Sequence, residues 1–291
     1  MNPQVLLPYG SRLAAALPRA WVESVADVAG ALAARCLPRL REVVGKNLEQ
    51  ALGAPVDDPV RRRALATYAR YYVSLMRLAH RSPRDAVGPM RVLGVEALER
   101  TLARGRGAVA LGAHLGNWDM AAVGLARRFG RVHAFAEPLR PEAVLRFYTS
   151  LRKRHGVDVV CLGEHGRVPF EVLRANGILG LLADRPFGKR LVRVPFGSGD
   201  LLLPTGGIRL GLRAGAGIHA VFCVLAADGV ALHVGADLSR GLPDADESAR
   251  VRQVATRFGA TLQSMLQCHP DQWCVLTPLQ RRDEELQRGA A

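Results

Sequence analysis

Apolar and polar positions alternate at helical spacing through the first part of the chain. Apolar residues recur every three or four positions from residue 11 to residue 80, with breaks at Pro38 and around the sequence GAPVDDPV. The stretch ATYARYYVSLMRLAH places Tyr68, Tyr72 and Leu75 on one stripe, a pattern typical of a helix packed into a core. The pattern therefore predicts a helical N-terminal segment.

Beyond residue 90 the pattern changes to short apolar runs that alternate with amphipathic stretches, which is typical of strands joined by crossover helices. We predict an α/β fold with a central mixed, mostly parallel sheet flanked by helices. The expected division is a helical segment over 1–90, packed on the core or on a membrane surface, an α/β core over 91–280 and a polar tail over 281–291. The predicted strands are 107–113, 131–137, 157–162, 178–183, 190–196, 218–226 and 230–236, and the predicted helices are 96–104, 117–129, 141–155, 167–176, 205–214 and 245–267.

Composition describes a folded protein that is rich in small apolar residues. Of the 291 residues, 49% are hydrophobic and 5% aromatic, and mean hydropathy is close to zero. The five cysteines are scattered and form no C-x-x-C pair, so neither a zinc site nor a disulfide scaffold fits. This cysteine usage favours a reducing compartment.

The net charge of +14 indicates an anionic partner: phospholipid headgroups, nucleic acid or a phosphorylated substrate. A biased amino-acid usage explains part of the excess, because the charge is carried almost entirely by arginine. No stretch reaches the ~18 apolar residues of a membrane-spanning helix. The N-terminus lacks the charged start and cleavage site of a typical signal peptide. Its amphipathic helices suit either a membrane surface or packing on the protein's own domain.

Candidate chemistry lies in the stretch GAHLGNWDMAAVGLARR, residues 112–128. His114 follows a small, apolar strand and lies five positions before Asp119, at the start of a helix. Sites in open α/β sheets lie outside the carboxyl ends of strands, and a carboxylate beside an imidazole makes it a better base. The two side chains can meet only if His114 precedes the helix and Asp119 lies in its first turns. A loop histidine and a helix-capping aspartate are the alternative for an isolated H-x-x-x-x-D.

Further stretches follow HLGNWD in a fixed order: VHAFAEPLRPEAVLRFYTSLRKRHGVDVV, ILGLLADRPFG, VPFGSGDLLLPTGGIRLGLRAGAGIHAVFCV and HPDQW. Together they resemble the bacterial lysophospholipid acyltransferase superfamily over about residues 40–275. The nearest likeness is to the branch that contains the lipid A late (lauroyl and myristoyl) acyltransferases and the phosphatidylinositol mannoside acyltransferases.

The resemblance implies an O-acyltransferase that moves a fatty acyl group from acyl-CoA or acyl carrier protein to a hydroxyl of a membrane glycolipid or lysolipid. It implies His114 as general base assisted by Asp119, with no metal or bound cofactor. It also implies a peripheral enzyme on the anionic, cytoplasmic face of the bacterial inner membrane, without a nucleic-acid partner. The residues it assigns to substrate binding are Glu137, Arg140, Arg152, Asp184 and Arg185.

Some of these assignments leave alternatives open on physical grounds. Arg152 ends an apolar stripe on its predicted helix, where a guanidinium can grip a phosphate or extend to solvent. Asp184 ends a buried strand, and Arg185 beside it can pair with it or contact substrate. The turn Pro204-Thr205-Gly206 precedes a helix, whose first N–H groups suit an anion.

Two departures from the family pattern put the acceptor in doubt. No second acidic residue follows the Asp-Arg pair until Asp200, and the membrane-spanning helix that usually begins the lipid A enzymes is lacking. A non-catalytic basic protein that binds lipid or nucleic acid is the competing interpretation, although sparse aromatics argue against nucleic acid. A serine hydrolase is disfavoured because no G-x-S-x-G is present.

Overall fold

A computed structural model describes residues 3–83, 85–86, 88–130, 132–137, 140–161 and 166–279. The predicted polar tail, 281–291, lies outside these residues. None of the helices in the described part of the chain has the length and apolar character needed to cross a bilayer.

All the predicted helices and strands are present in the predicted order, together with two strands that the sequence does not predict. The helices are α1 Pro3–Ala16, α2 Arg19–Cys36, α3 Pro38–Leu52, α4 Asp58–Leu78, α5 Val95–Leu102, α6 Trp118–Phe129, α7 Glu142–Arg154, α8 Val168–Arg174, α9 Gly206–Ala214 and α10 Glu247–Cys268, and a short 3₁₀ turn covers Pro270–Gln272. The strands are β1 Met90–Leu93, β2 Ala108–Gly112, β3 Val132–Ala136, β4 Val157–Cys161, β5 Ile178–Leu182, β6 Leu191–Phe196, β7 Gly199–Pro204, β8 Gly217–Ala226 and β9 Gly229–Asp237.

The central sheet has seven strands in the order β1-β9-β8-β2-β5-β3-β4. Every neighbouring pair is parallel except β8 and β9, which are antiparallel. β6 and β7 form a separate antiparallel hairpin. The predicted class, a mixed and mostly parallel sheet flanked by helices with further helices at the N-terminus, is confirmed.

The two faces of the sheet carry separate hydrophobic clusters, because side chains alternate along each strand. On β2, Val109 and Leu111 join a cluster that includes residues of α3, α4 and α10, whereas Ala108 and Ala110 join one that includes residues of α6 and α7. β2 is buried on both sides, which accounts for its unbroken run of small apolar residues. Helix α4 contributes to both clusters and thereby ties the N-terminal helices to the sheet.

Two strands are absent from the sequence-based prediction. β1 is a four-residue edge strand with three exposed residues, so it lacks the apolar signal of a buried strand. β7 carries three consecutive leucines between Gly199 and Pro204 and pairs only with β6, directly before the predicted helix 205–214. β1 therefore gives no burial signal, and β7 belongs to a hairpin outside the central sheet.

Helix α2 packs against α4 on one side and is exposed on the other. A Cβ on Gly30 would approach backbone atoms of Ala66 to 2.6 Å, so the two helices lie in close contact. The opposite face carries large apolar side chains that are exposed to solvent, and we call it the α2 apolar stripe: Trp21, Val25, Val28 and Leu32. Their spacing places them on one side of the helix.

Candidate active site

The connection between β2 and α6 brings His114 to the carboxyl edge of the sheet. Gly116 has φ +62° in this turn, and a Cβ there would lie 2.2 Å from the carbonyl oxygen of Cys223. Only glycine fits such a close approach. Asn117 then caps α6 by accepting a hydrogen bond from the N–H of Met120 at 3.1 Å. His114 therefore precedes the helix, as the sequence predicts.

The carboxylate beside His114 belongs to Asp184. His114 Nδ1 lies 2.7 Å from Asp184 Oδ1, and the His114 backbone N–H donates to Asp184 Oδ2 at 2.7 Å. Asp184 follows β5, the strand next to β2, so the two strand ends bring the pair together. The predicted pairing of His114 with Asp119 is wrong, and the prediction of Asp184 as a substrate-binding residue did not anticipate this contact.

Asp184 is fully buried and accepts three hydrogen bonds. The third comes from Trp273 Nε1, which donates to Oδ2 at 2.8 Å. Burial raises the pKa of Asp184, but the attraction of His114 and the hydrogen bonds from His114 and Trp273 outweigh it, so the pKa lies below its ordinary value. An ionised Asp184 makes Nδ1 of His114 the protonated nitrogen and leaves Nε2 able to accept a proton.

Asp119 lies in the first turn of α6 but is bonded to residues of α7 and α4. Arg152 Nε donates to Oδ1 at 2.6 Å and Arg152 Nη2 donates to Oδ2 at 3.1 Å. The Tyr71 hydroxyl donates to Oδ2 at 2.6 Å. Burial raises the pKa of Asp119, but the attraction of Arg152 and the hydrogen bonds from Arg152 and Tyr71 lower it overall. Arg152 is thus an ion-pair partner of Asp119, neither a solvent-extended arginine nor one paired with Asp184.

Tyr71 and Trp118 connect the His114–Asp184 pair to the Asp119–Arg152 pair. The Tyr71 and Trp118 rings stack with centroids 3.8 Å apart, and the Trp118 ring lies edge-on to His114 with centroids 5.1 Å apart. Sequence reasoning missed Tyr71 because its neighbours Tyr68 and Tyr72 carry the apolar stripe of α4. The only sequence signal for Tyr71 is a phenol in a buried helix, which usually finds a hydrogen-bond acceptor.

Three of the predicted substrate-binding residues lie on or near the loops around this site. Arg185 Nη2 bonds Glu137 Oε1, so Arg185 pairs with Glu137 and not with Asp184. Both side chains line the cavity described below. Arg140 is exposed on the segment before α7.

A cavity of about 860 Å³ lies over the carboxyl half of the sheet, with His114 on its wall. Its floor contains Ala110, Gly180 and Ala134, which stand in register across β2, β5 and β3. Small side chains in this row leave space between the sheet and the helices α6 and α7. The lining is mostly apolar, and Lys189, Arg190 and the glycines at the start of α9 add cationic groups and backbone donors.

The predicted turn before α9 forms part of this lining. Pro204 and Gly206 line the cavity, and Thr205 is held by its N–H and hydroxyl, which donate to the Arg190 carbonyl at 2.9 and 3.1 Å. Across the described residues, His, Cys, Asp and Glu side chains form no group of three suited to a metal ion.

Comparisons with known proteins agree with the resemblance. A model of the bacterial lipid A biosynthesis acyltransferase family matches residues 6–282. A phosphatidylinositol mannoside acyltransferase of Mycolicibacterium smegmatis is 32% identical over 276 residues, which cover 92% of this chain and 88% of that protein. A protein of the same name from Mycobacterium tuberculosis is 32% identical over 248 residues, which cover 81% of this chain and 76% of that protein. The predicted superfamily and branch are confirmed.

Proposed function

Because the chain belongs to the bacterial lipid A biosynthesis acyltransferase family, an acyltransferase family of lipid biosynthesis, we propose that it moves a fatty acyl group from acyl-CoA or acyl carrier protein to a hydroxyl of a membrane glycolipid. The observation that carries this proposal is the His114–Asp184 pair, whose His114 side chain lines a large, mostly apolar cavity. The pair supplies a base, and the cavity supplies space for a fatty acyl chain.

The proposed reaction uses His114 Nε2 as the general base. The acceptor hydroxyl oxygen attacks the thioester carbonyl carbon, a C–O bond forms, and the hydroxyl proton moves to Nε2. The C–S bond then breaks, and the proton passes from His114 to the leaving thiolate. Asp184 stabilises the imidazolium while it exists and keeps Nδ1 protonated. General-base catalysis of this kind contributes about 10²–10⁴-fold to the rate.

The acyl chain of the donor would lie in the apolar part of the cavity. Ala110, Gly180 and Ala134 form its floor, and residues of α6 and α7 cover it. Burial of the chain there is favourable by about 0.8 kcal/mol for each CH₂ removed from water. A thioester carbonyl held at the His114 end would meet the base, while its hydrocarbon fills the interior.

The acceptor that we propose is a glycolipid with an anionic headgroup. The relatives are named for a mannosylated phosphatidylinositol, and the cavity carries Arg185, Lys189 and Arg190 among its lining residues. Cationic side chains beside an apolar interior suit a ligand with both a phosphate and hydrocarbon chains.

We further propose that the enzyme binds peripherally to the anionic cytoplasmic face of the inner membrane. The α2 apolar stripe exposes Trp21 at 63% and Val28 at 60%, and the chain carries a net charge of +14. Apolar insertion and attraction to anionic lipid act together, the second at about 1 kcal/mol for each basic residue near the surface. Sedimentation with anionic vesicles should therefore fall as salt rises and fall further in Val28→Glu; salt-independent sedimentation, equal in both proteins, would contradict this proposal.

The decisive experiment compares His114→Ala with His233→Ala, a matched histidine variant on β9 that does not line the cavity. With a long-chain acyl-CoA or acyl carrier protein and a phosphatidylinositol mannoside, we expect kcat/KM to fall about 10²–10⁴-fold in His114→Ala only. Both variants should melt near the wild-type temperature. A folded His114→Ala variant with wild-type turnover would refute the mechanism. A wild-type enzyme that binds these lipids but transfers no acyl group would instead support the non-catalytic interpretation.

A further inference from the structure

The segment after α10, residues 269–279, runs directly past the turn that carries His114. The Gly116 N–H donates to the Gln272 carbonyl at 2.8 Å, and the Cys274 N–H donates to the His114 carbonyl at 3.1 Å. Leu115 and Trp273 form an antiparallel bridge. This C-terminal segment contains the HPDQW motif, and it pairs with the catalytic turn in the manner of a short strand.

Hydrogen bonds to two distant elements, α3 and β8, fix the C-terminal segment. The amide of Asn47, on α3, donates to the carbonyls of Val275 and Thr277 at 2.9 Å each and accepts from the N–H of Leu279 at 3.2 Å. The Gln272 side chain accepts from the N–H of Leu225 on β8 at 2.7 Å and donates to its carbonyl at 3.0 Å. The segment therefore has little freedom to shift relative to the sheet.

Within this segment, the Trp273 ring is buried and points at the catalytic carboxylate. It is 1% exposed and contacts the Phe196 ring edge-on, with centroids 5.9 Å apart. Its Nε1–H donates to Asp184 Oδ2 at 2.8 Å, on the same oxygen that accepts the His114 backbone N–H. The other oxygen, Oδ1, faces His114 Nδ1.

We propose that Trp273 is a positioning residue of the acyl transfer, whose indole N–H holds the Asp184 carboxylate in the orientation that presents Oδ1 to the His114 ring. This inference rests on the proposed function. Two donors on Oδ2 prevent the carboxylate from rotating about its Cβ–Cγ bond, so the bond to Nδ1 keeps its length and direction. The HPDQW motif thereby acts on the base through Asp184, without touching substrate.

The indole N–H also attenuates the negative charge that His114 meets. Without it, the full charge of Asp184 would attract a positively charged imidazolium more strongly. Replacing Trp273 changes none of the other titratable side chains that line the cavity with His114. These are Tyr68, Tyr71, Tyr72, Asp119, Glu137, Tyr148, Arg152, Arg185, Lys189 and Arg190. Burial raises the pKa of Cys223 and of Cys274 to about 12, so both neighbouring thiols remain neutral.

The test compares Trp273→Phe with Phe196→Leu in the full-length enzyme. Trp273→Phe keeps an aromatic ring and removes the N–H, whereas Phe196→Leu disturbs the packing of the same ring and keeps the N–H. For Trp273→Phe we expect kcat to fall about 10- to 100-fold, the effect of losing a hydrogen bond to a charged group, and the acid limb of the kcat/KM profile to move to higher pH. Phe196→Leu should melt earlier with an unchanged pH profile.

An unchanged kcat and an unchanged pH profile in Trp273→Phe would overturn the inference. So would a fall in kcat and in melting temperature equal to that of Phe196→Leu, with no shift of the pH profile. Should Trp273→Phe fail to fold, the indole N–H resonances of the wild type and of Asp184→Asn decide the question. The Trp273 resonance should move more than those of Trp21 and Trp118, and no movement would overturn the inference. A wild-type enzyme that transfers no acyl group would instead refute the proposed function, whatever Trp273→Phe shows.

Discussion

Two buried carboxylates beside one cavity, Asp184 and Asp119, are held in different ways. Asp184 faces an imidazole, and its remaining partners are a backbone N–H and the indole of Trp273. Asp119 faces the guanidinium of Arg152 and the hydroxyl of Tyr71. The first pair contains a nitrogen that can accept a proton at neutral pH, whereas arginine keeps its proton throughout. The first pair is therefore suited to proton transfer, and the second joins three helices.

His114 and Asp119, the two ends of the H-x-x-x-x-D motif, thus belong to two separate hydrogen-bond networks. The Trp118 ring contacts His114 in one and Tyr71 in the other. Asp119 connects α6 to α7 and α4, and so fixes the helix whose first residue, Trp118, packs beside His114. We expect Asp119 to affect His114 through the position of Trp118. Asp184 contacts His114 through a direct hydrogen bond. Replacing each aspartate by asparagine separates these two contributions.

Asp184→Asn should have the larger effect on turnover. The amide preserves the shape but removes the charge that fixes the His114 tautomer, and a comparable change in a Ser-His-Asp triad lowers kcat about 10⁴-fold. We expect a loss of about 10³–10⁴-fold in kcat, measured alongside thermal melting. Turnover within tenfold of the wild type, together with an inactive but stable Asp119→Asn, would restore the pairing expected from the sequence.

Asp119→Asn should have the larger effect on stability. It leaves the Arg152 guanidinium, whose side chain is 16% exposed, without its counter-charge. Breaking a buried ion pair from one side costs about 3–5 kcal/mol of the free energy of unfolding, which denaturant titration measures. The folded fraction should retain kcat within about tenfold. A wild-type midpoint would show that the Asp119–Arg152 pair does not stabilise the fold.

The smallest expected effect is on how the free energy of unfolding depends on acid pH. The pKa of Asp119 lies below its ordinary value in the folded state, so its stabilisation is present above the unfolded value of roughly 3.9 and is lost as pH falls toward the folded value. The gap in unfolding free energy between wild type and Asp119→Asn should therefore narrow below about pH 4. A gap that stays constant from neutral to acid pH would place the destabilisation elsewhere than in the carboxylate charge.

The sequence predicts most of the fold because its signals are local. Strand β2 is small and apolar on both faces, and helix α6 begins after a glycine and a capping asparagine, so its predicted start lies within one residue of Trp118. The strands that escaped prediction, β1 and β7, lie at an edge and in a separate hairpin. β1 exposes three of its four residues and so lacks the pattern of a buried strand, and β7 follows its partner β6 after only two residues.

The structure agrees with the sequence on where His114 and Asp119 lie and differs on which side chains they contact. The local argument for a base before a helix and a carboxylate in its first turn agrees with the positions of His114 and Asp119. Which side chain each one meets depends on strand order and on helix packing. Asp184 reaches His114 because β5 lies beside β2, and Arg152 reaches Asp119 because α7 packs near α6. Spacing along the chain does not contain this information.

The pairing of the C-terminal segment with the turn that carries His114 has a consequence for synthesis of the protein on the ribosome. A chain emerging from the ribosome presents His114 and then Asp184 long before Trp273, and domains fold as the chain lengthens. A nascent chain therefore contains both His114 and Asp184 before the indole donor that contacts Asp184 has been synthesised. Under the role proposed for Trp273, the enzyme becomes fully competent only when the C-terminal segment is in place, and chains that terminate before Trp273 remain poor catalysts.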